Sequence, residues 1–153
     1  MASRCEIKHS DDKFFLSGTI DETFFEIINS IPSTGEVNFN LKNLLSINST
    51  GIREWIKLMQ KMKASKIHLF ECPKAFIDQA NMVKGFIPTN AKVMSFYVPY
   101  FNEKTETEKN VLFVLNEHYS KGQLHPLKKV FDAGGEEMEI DIVEAKYFKF
   151  IKG

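Results

Sequence analysis

Two hydrophobic periods take turns along the chain. Residues 4–9 alternate weakly and predict an edge strand, and Lys13 to Ile20 (KFFLSGTI) predicts a stronger one with Gly18 near its end. Asp21 then stands where a helix cap would, followed by Phe24, Phe25, Ile28 and Ile31 at helical spacing, and Pro32 ends the run. After a Ser33-Thr34-Gly35 turn, Glu36 to Leu45 alternates strictly. Val37, Phe39 and Leu41 share one face, and Asn38, Asn40 and Lys42 the other. The bend Ile47-Asn48-Ser49-Thr50-Gly51 leads into a helix over 52–63, whose apolar stripe is Ile52, Trp55, Ile56, Met59 and Met62. Ser65-Lys66 breaks the pattern, and Ile67 to Cys72 reads as a short strand. Pro73 opens another helix at a position proline tolerates, with Ala75, Phe76, Gln79, Met82 and Val83 inward and Gly85 at its end. Ala91 to Phe101 is strand-like up to Pro99.

Strands alternating with helices predict an α/β layer structure, a sheet with helices packed against it. Asn102 to Asn110 (NEKTETEKN) has no apolar anchor and predicts a loop, which divides the chain into a first domain, 1–101, and a β-rich extension, 102–153. In the extension, Val111–Leu115 and Glu136–Val143 read as strands, Ser120–Pro126 and Phe131–Gly135 as turns, and Lys146–Ile151 as an aromatic helical turn. A unit that short is marginal alone, so it is expected to dock on the first domain.

Composition narrows the function. Lys+Arg and Asp+Glu both total 20, so no basic excess points to nucleic acid, and neutrality leaves a homodimer open. No apolar run approaches the ~18 residues that span a bilayer, and the N-terminus lacks the apolar stretch of a signal peptide. Cys5 and Cys72 lie far apart, with no metal or redox spacing, which favours a reducing cytoplasm. His9, His68, His118 and His125 stand at no ligand spacing. No nucleophile elbow, Walker loop or dinucleotide fingerprint occurs, and Gly134-Gly135 reads as a plain turn. The expectation is therefore no enzyme, no metal and no cofactor.

The bend itself supports two readings. Asn, Ser or Thr before a helix is an N-cap, its side-chain oxygen accepting an orphan backbone N–H. The same place suits a phosphate, because unpaired N–H groups and the positive dipole end sit beside the hydroxyl. A phosphate there would add nearly two negative charges to a docking surface.

The order strand, helix, Asn48-Ser49-Thr50-Gly51-Ile52, helix, strand, helix resembles the STAS domain, named for sulfate transporters and anti-sigma factor antagonists. That family carries Asp-Ser-Ser/Thr-Gly-hydrophobic at this bend, and Leu16-Ser17-Gly18-Thr19-Ile20-Asp21 looks like its Leu-x-Gly-x-hydrophobic-Asp. The resemblance covers roughly residues 11 to 98. It implies a small mixed sheet with helices mainly on one face. It also implies binding to a regulatory protein, an anti-sigma factor or a kinase-like one, with phosphorylation of the hydroxyl after the Asp releasing the partner. Ser49 is that position, with Thr50 beside it. The docking surface would comprise Asn48, Ser49, Thr50, Gly51, Arg53, Glu54 and Lys57. The chain departs at Asn48, whose amide can cap a helix but carries no charge, which leaves a constitutive scaffold open. A small-molecule sensor, with a pocket between the α/β layer and the extension, is a further alternative. The extension is similar to a zinc ribbon in having Pro99-Tyr100-Phe101 before it and Gly134-Gly135 within it. The ligand positions would fall near Asn102, Thr105, Val130 and Ala133, none of which offers a thiolate. Packing by Val111, Phe113, Leu115, Ile140, Tyr147, Phe148 and Phe150 is expected to hold it instead.

Overall fold

The computed structural model of the chain describes residues 4–152. The alternating segments form a five-stranded sheet in the order β1 (Glu6–Ser10), β2 (Lys13–Ile20), β3 (Thr34–Ile47), β4 (Ala64–Phe70) and β5 (Ala91–Val93). β1 is antiparallel to β2, and β2 to β5 run parallel, so the sheet is mixed and the fold class is α/β. Parallel neighbours need crossovers. These are a 3-10 turn (Glu22–Phe24) with α1 (Phe25–Ile28), then α2 (Ser49–Lys61), then α3 (Lys74–Met82). Right-handed crossovers that step across a sheet in one direction lie on one face. Their meeting point is Trp55 of α2, whose ring lies 5.3 to 6.4 Å from the rings of Phe24, Phe39, Phe76 and Phe86. Its Nε1–H donates to the Phe86 carbonyl at 2.9 Å, so the fully buried indole keeps its one donor satisfied.

Several elements differ from the sequence pattern, each for a local reason. In β3 the alternation slips twice, because register shifts against β2 between Phe15 and Ser17 and between Gly18 and Thr19 insert extra residues. The buried series therefore runs Val37, Phe39, Leu41, then Leu44 and Ile47, and Leu45 is left 66% exposed. After Asp21 the expected helix opens as a 3-10 turn and is short. Phe24 is fully buried while Phe25 is 59% exposed, since four helical residues cannot turn both rings inward. In α3 the buried residues are Phe76 and Ile77, and Met82, expected inward, is 71% exposed. The helix packs against both β3 and the next strand, β6 (Ser95–Asn102), so its inner arc is centred one position off the expected stripe.

The strand expected over Ala91–Phe101 splits at Met94. The Met94 N–H donates to the Leu69 carbonyl at 2.7 Å in the first sheet, and its own carbonyl accepts from Leu115 N–H at 2.9 Å in the second. β6 pairs antiparallel with β7 (Thr107–Val114) and with β11 (Glu137–Ile140), which pairs with β10 (Val130–Phe131). The polar run at 102–110 is thus only partly a loop: Thr107–Asn110 pair with Pro99–Asn102. Its polarity reflects a hairpin that projects into solvent, and the change of sheet comes earlier, at Met94.

The remaining chain forms β8 (Tyr119–Ser120), β9 (Gln123–Leu124), α4 (Glu144–Tyr147) and a closing 3-10 segment (Phe148–Lys152). Fully buried Phe96 is the centre here, with the rings of Phe113, Tyr119, Tyr147, Phe148 and Phe150 at 4.9 to 6.2 Å. Phe113, Tyr147 and Phe148 are buried, and Val111, Leu115, Ile140 and Phe150 pack against the same core. Asn81 of α3 ties the tail down, donating to the Tyr147 carbonyl and accepting from Phe150 N–H, both at 2.8 Å. Among the described residues, no helix is long and apolar enough to cross a membrane.

Candidate functional site

The bend lies where the C-terminal ends of β2 and β3 meet the start of α2. Asn48 N–H donates to the Ile20 carbonyl at 3.1 Å, and the Asn48 carbonyl accepts the first helical bond from Ile52 N–H at 2.9 Å. The Asn48 side-chain oxygen accepts from Gly51 N–H at 2.8 Å. Capping therefore falls to Asn48, and display falls to its neighbours. Asn48, Ser49 and Thr50 are exposed, and neither hydroxyl makes a hydrogen bond among the described residues. The N–H groups of Ser49 and Thr50, in the first turn, have no helical carbonyl behind them. Arg53 and Lys57 are exposed on the following turns. Glu54 is half-buried, its carboxylate 3.3 Å from Lys57 Nζ.

Gly51 has a different part. It is buried, and a Cβ there would stand 1.9 Å from the Ile20 carbonyl oxygen and 3.1 Å from Asp21 N. Its role is the close approach of α2 to the end of β2, so it supports the exposed bend from behind. The two short motifs noted in the sequence, 16–21 and 48–52, meet at this contact. Asp21 continues from there into its own turn, its carboxylate accepting from Thr23 N–H at 2.9 Å and from the Thr23 hydroxyl. Those two hydrogen bonds, first from the hydroxyl and then from the backbone, hold its carboxyl below the usual range, against a small burial effect. Phe25 follows that turn and Leu45 lies three residues before Asn48, so segments joined at the bend carry two of the large exposed apolar side chains.

A polar cluster that the sequence did not reveal sits at the end of β4. Glu71 has a left-handed backbone (φ 51), unusual for a residue other than glycine. Its carboxylate accepts from the Asn40 amide and, at 2.8 Å, from the Tyr97 hydroxyl, while its N–H donates to Ser95 Oγ at 2.7 Å. Burial raises the Glu71 pKa. The Asn40 and Tyr97 bonds, then the charges of Lys42 and Lys13, outweigh that and hold it below the ordinary carboxylate value. Tyr97 is pushed up to about 12, by burial first and then by its bond to Glu71. At neutral pH this is a carboxylate facing a phenol, with neither group poised to exchange a proton. The cluster joins β3, β4 and β6, and so clamps one sheet to the other. A lone acid closing the apolar run IHLFEC was the signal available in the sequence.

In the extension, two of the four ribbon-like positions are drawn together, but around a carboxylate. Asp132 accepts from Asn102 Nδ2 and from Thr105 Oγ1, each at 3.1 Å, and from the N–H groups of Gly134 at 2.9 Å and Glu136 at 3.0 Å. Backbone donation from Glu136, then Thr105, Gly134 and Asn102, keeps its carboxyl below the usual range despite a small opposing burial effect. The turn at 131–136 is thereby joined to the β6–β7 turn. Each histidine is locally engaged. His9 stacks on Phe14, His68 pairs with Asn38 across β3 and β4, His118 Nδ1 accepts from Val114 N–H, and His125 bonds Ser120. Cys5 and Cys72 are buried free thiols, and burial raises both pKa values. A comparison of the chain with protein-family models, with curated proteins and with solved structures finds no match.

Proposed function

We propose that this chain is a non-enzymatic regulatory protein-interaction module of the anti-sigma factor antagonist kind, with a STAS-like arrangement. Its docking surface is the Asn48–Thr50 bend with Arg53, Glu54 and Lys57, and its partner is a regulatory protein such as an anti-sigma factor or a serine kinase. The observation that carries this reading is the division of labour at the bend. The cap is made by Asn48, and that leaves Ser49 and Thr50 solvent-facing with no internal bond among the described residues. Exposed Leu45, three residues before the bend, is an apolar side chain of the kind interfaces draw on.

The same geometry suits a phosphate switch at Ser49. Next to the free first-turn N–H groups, a phosphate gains about 0.3–1 kcal/mol from the helix end, so it does not melt α2. Opposed to a partner surface built for a neutral bend, its near double negative charge costs several kcal/mol, enough to release the partner. The uncharged Asn48 favours a second reading, a constitutive scaffold with the same surface and no switch. Intact-mass analysis after incubation with cell extract and ATP separates the two. One added phosphate on Ser49 or Thr50 supports the switch, and its absence removes the switch while leaving the docking surface in place.

A further inference from the structure

A cleft of about 920 Å³ opens where the first sheet hands over to the second. It is bounded by the end of α3 and the loop after it, by β5, by the β8–β9 turn and by the closing 3-10 segment. Val83, Ile87, Val93, Leu115 and Phe150 give it an apolar lining. Two of its polar groups are already engaged. Asn81 holds the tail, and the Tyr119 hydroxyl donates to the Val93 carbonyl at 2.6 Å. Around this lining stand Lys84, Lys92, Lys121 and Lys149, with no carboxylate among the residues that form the cleft. None of the four lysines takes part in an ion pair among the described residues. That is a local excess of positive charge in a chain whose acids and bases balance at 20 each. Lys121 is held in a left-handed backbone (φ 50) ahead of Gly122 (φ 74), in the tight turn between β8 and β9.

We propose that this cleft binds a free fatty-acid anion, the alkyl chain lying on the apolar lining and the carboxylate among the lysines. A half-open cleft of this volume falls within the usual range for small-molecule sites, about 300–1,000 Å³. The lysines come from four different parts of the chain and line one cleft, which suits one anionic end of a small molecule better than a charged stripe along a helix. Met82, 71% exposed at the rim, offers a flexible thioether that can close over an alkyl chain. This site is separate from the docking surface proposed above and does not depend on it.

The test is an NMR titration of the isotope-labelled protein with decanoate below its micellar concentration, beside decyltrimethylammonium, which has the same tail and the opposite charge. Decanoate is expected to give saturable shifts at Val93, Leu115 and Phe150. The double variant Lys92→Glu/Lys121→Glu is expected to weaken it about tenfold, both side chains being exposed or at the rim of the cleft. Circular dichroism checks that the variant is folded. Equal responses to the two amphiphiles, the same shifts from inorganic phosphate alone, decanoate shifts outside the cleft or no saturable shift would each overturn the proposal. So would co-sedimentation with phosphatidylglycerol vesicles in the absence of a decanoate response, which would mark a membrane surface.

Discussion

Replacing Gly51 by alanine tests the contact that fixes the bend. The added Cβ would lie 1.9 Å from the Ile20 carbonyl oxygen and 2.5 Å from its carbon. An ordinary C···O separation is about 3.3 Å, so α2 and β2 must part by roughly 1.4 Å. Both clashing atoms are backbone, and β2 is pinned between β1 and β3, so no flexible side chain can give way. Overpacking of this kind costs about 1–3 kcal/mol, and loss of the bond from Asn48 N–H to Ile20 adds about 1 kcal/mol. The better helix propensity of alanine returns at most about 1 kcal/mol. The sum runs from about 1 to about 4 kcal/mol, and its mid-range of about 2–3 kcal/mol corresponds to roughly 4–12 °C in Tm for a chain of this size. Gly35→Ala is the matched control, since its φ of +82 faces open space. There only the left-handed backbone penalty of about 1–2 kcal/mol applies. Trp55 is the single tryptophan and is fully buried, so its fluorescence during urea titration reports both variants. If Gly51→Ala proves no more costly than Gly35→Ala, α2 does not press on β2 as described.

Three further outcomes are expected. Trp55→Phe removes the donor to the Phe86 carbonyl and opens a void among four aromatic rings, so urea titration followed by circular dichroism should show a loss of about 2–4 kcal/mol. An unchanged midpoint would count against this packing. Glu71 has a folded pKa below its ordinary 4.5, so its contribution to stability is complete above that value and is lost as pH falls through the folded pKa. The stability gap between native protein and Glu71→Gln should therefore close on acidification through the carboxylate range, and a gap independent of pH would contradict the clamp. Asp132→Ala should speed amide exchange at Gly134 and Glu136 and loosen the β6–β7 turn, while a chelator leaves the native melting curve unchanged. Stoichiometric zinc in purified protein would overturn that account of the extension.

How much of this was legible in the sequence depended on whether neighbours in space were also neighbours in the chain. The period-two and helical patterns located β2, β3, α2, β4 and α3, because each has a buried face that recurs at the period of its element. The pattern misled where an element serves two layers or is bulged. Met82 and Phe25 point outward because α3 touches two strands and α1 has only four residues. Leu45 is exposed because β3 carries extra residues against β2. Polarity at Thr107–Asn110 reads equally well as loop or as solvated hairpin, and only the pairing decides. At the bend, the Asn48-Ser49-Thr50-Gly51 spacing marked a helix start, and Asn48 caps it. Gly51 could not be told apart from a surface residue until its distance to Ile20 was known. The Glu71 and Asp132 clusters were missed because their side-chain partners lie 24 or more positions away, beyond any local motif.

Whether another protein docks on the exposed polar bend is decided by affinity capture. Native protein, Ser49→Asp and a control, Lys128→Glu in an exposed part of the extension, would be compared side by side. A specific protein should be held by the native and control chains and lost from Ser49→Asp. Retention of the same proteins by all three would contradict it.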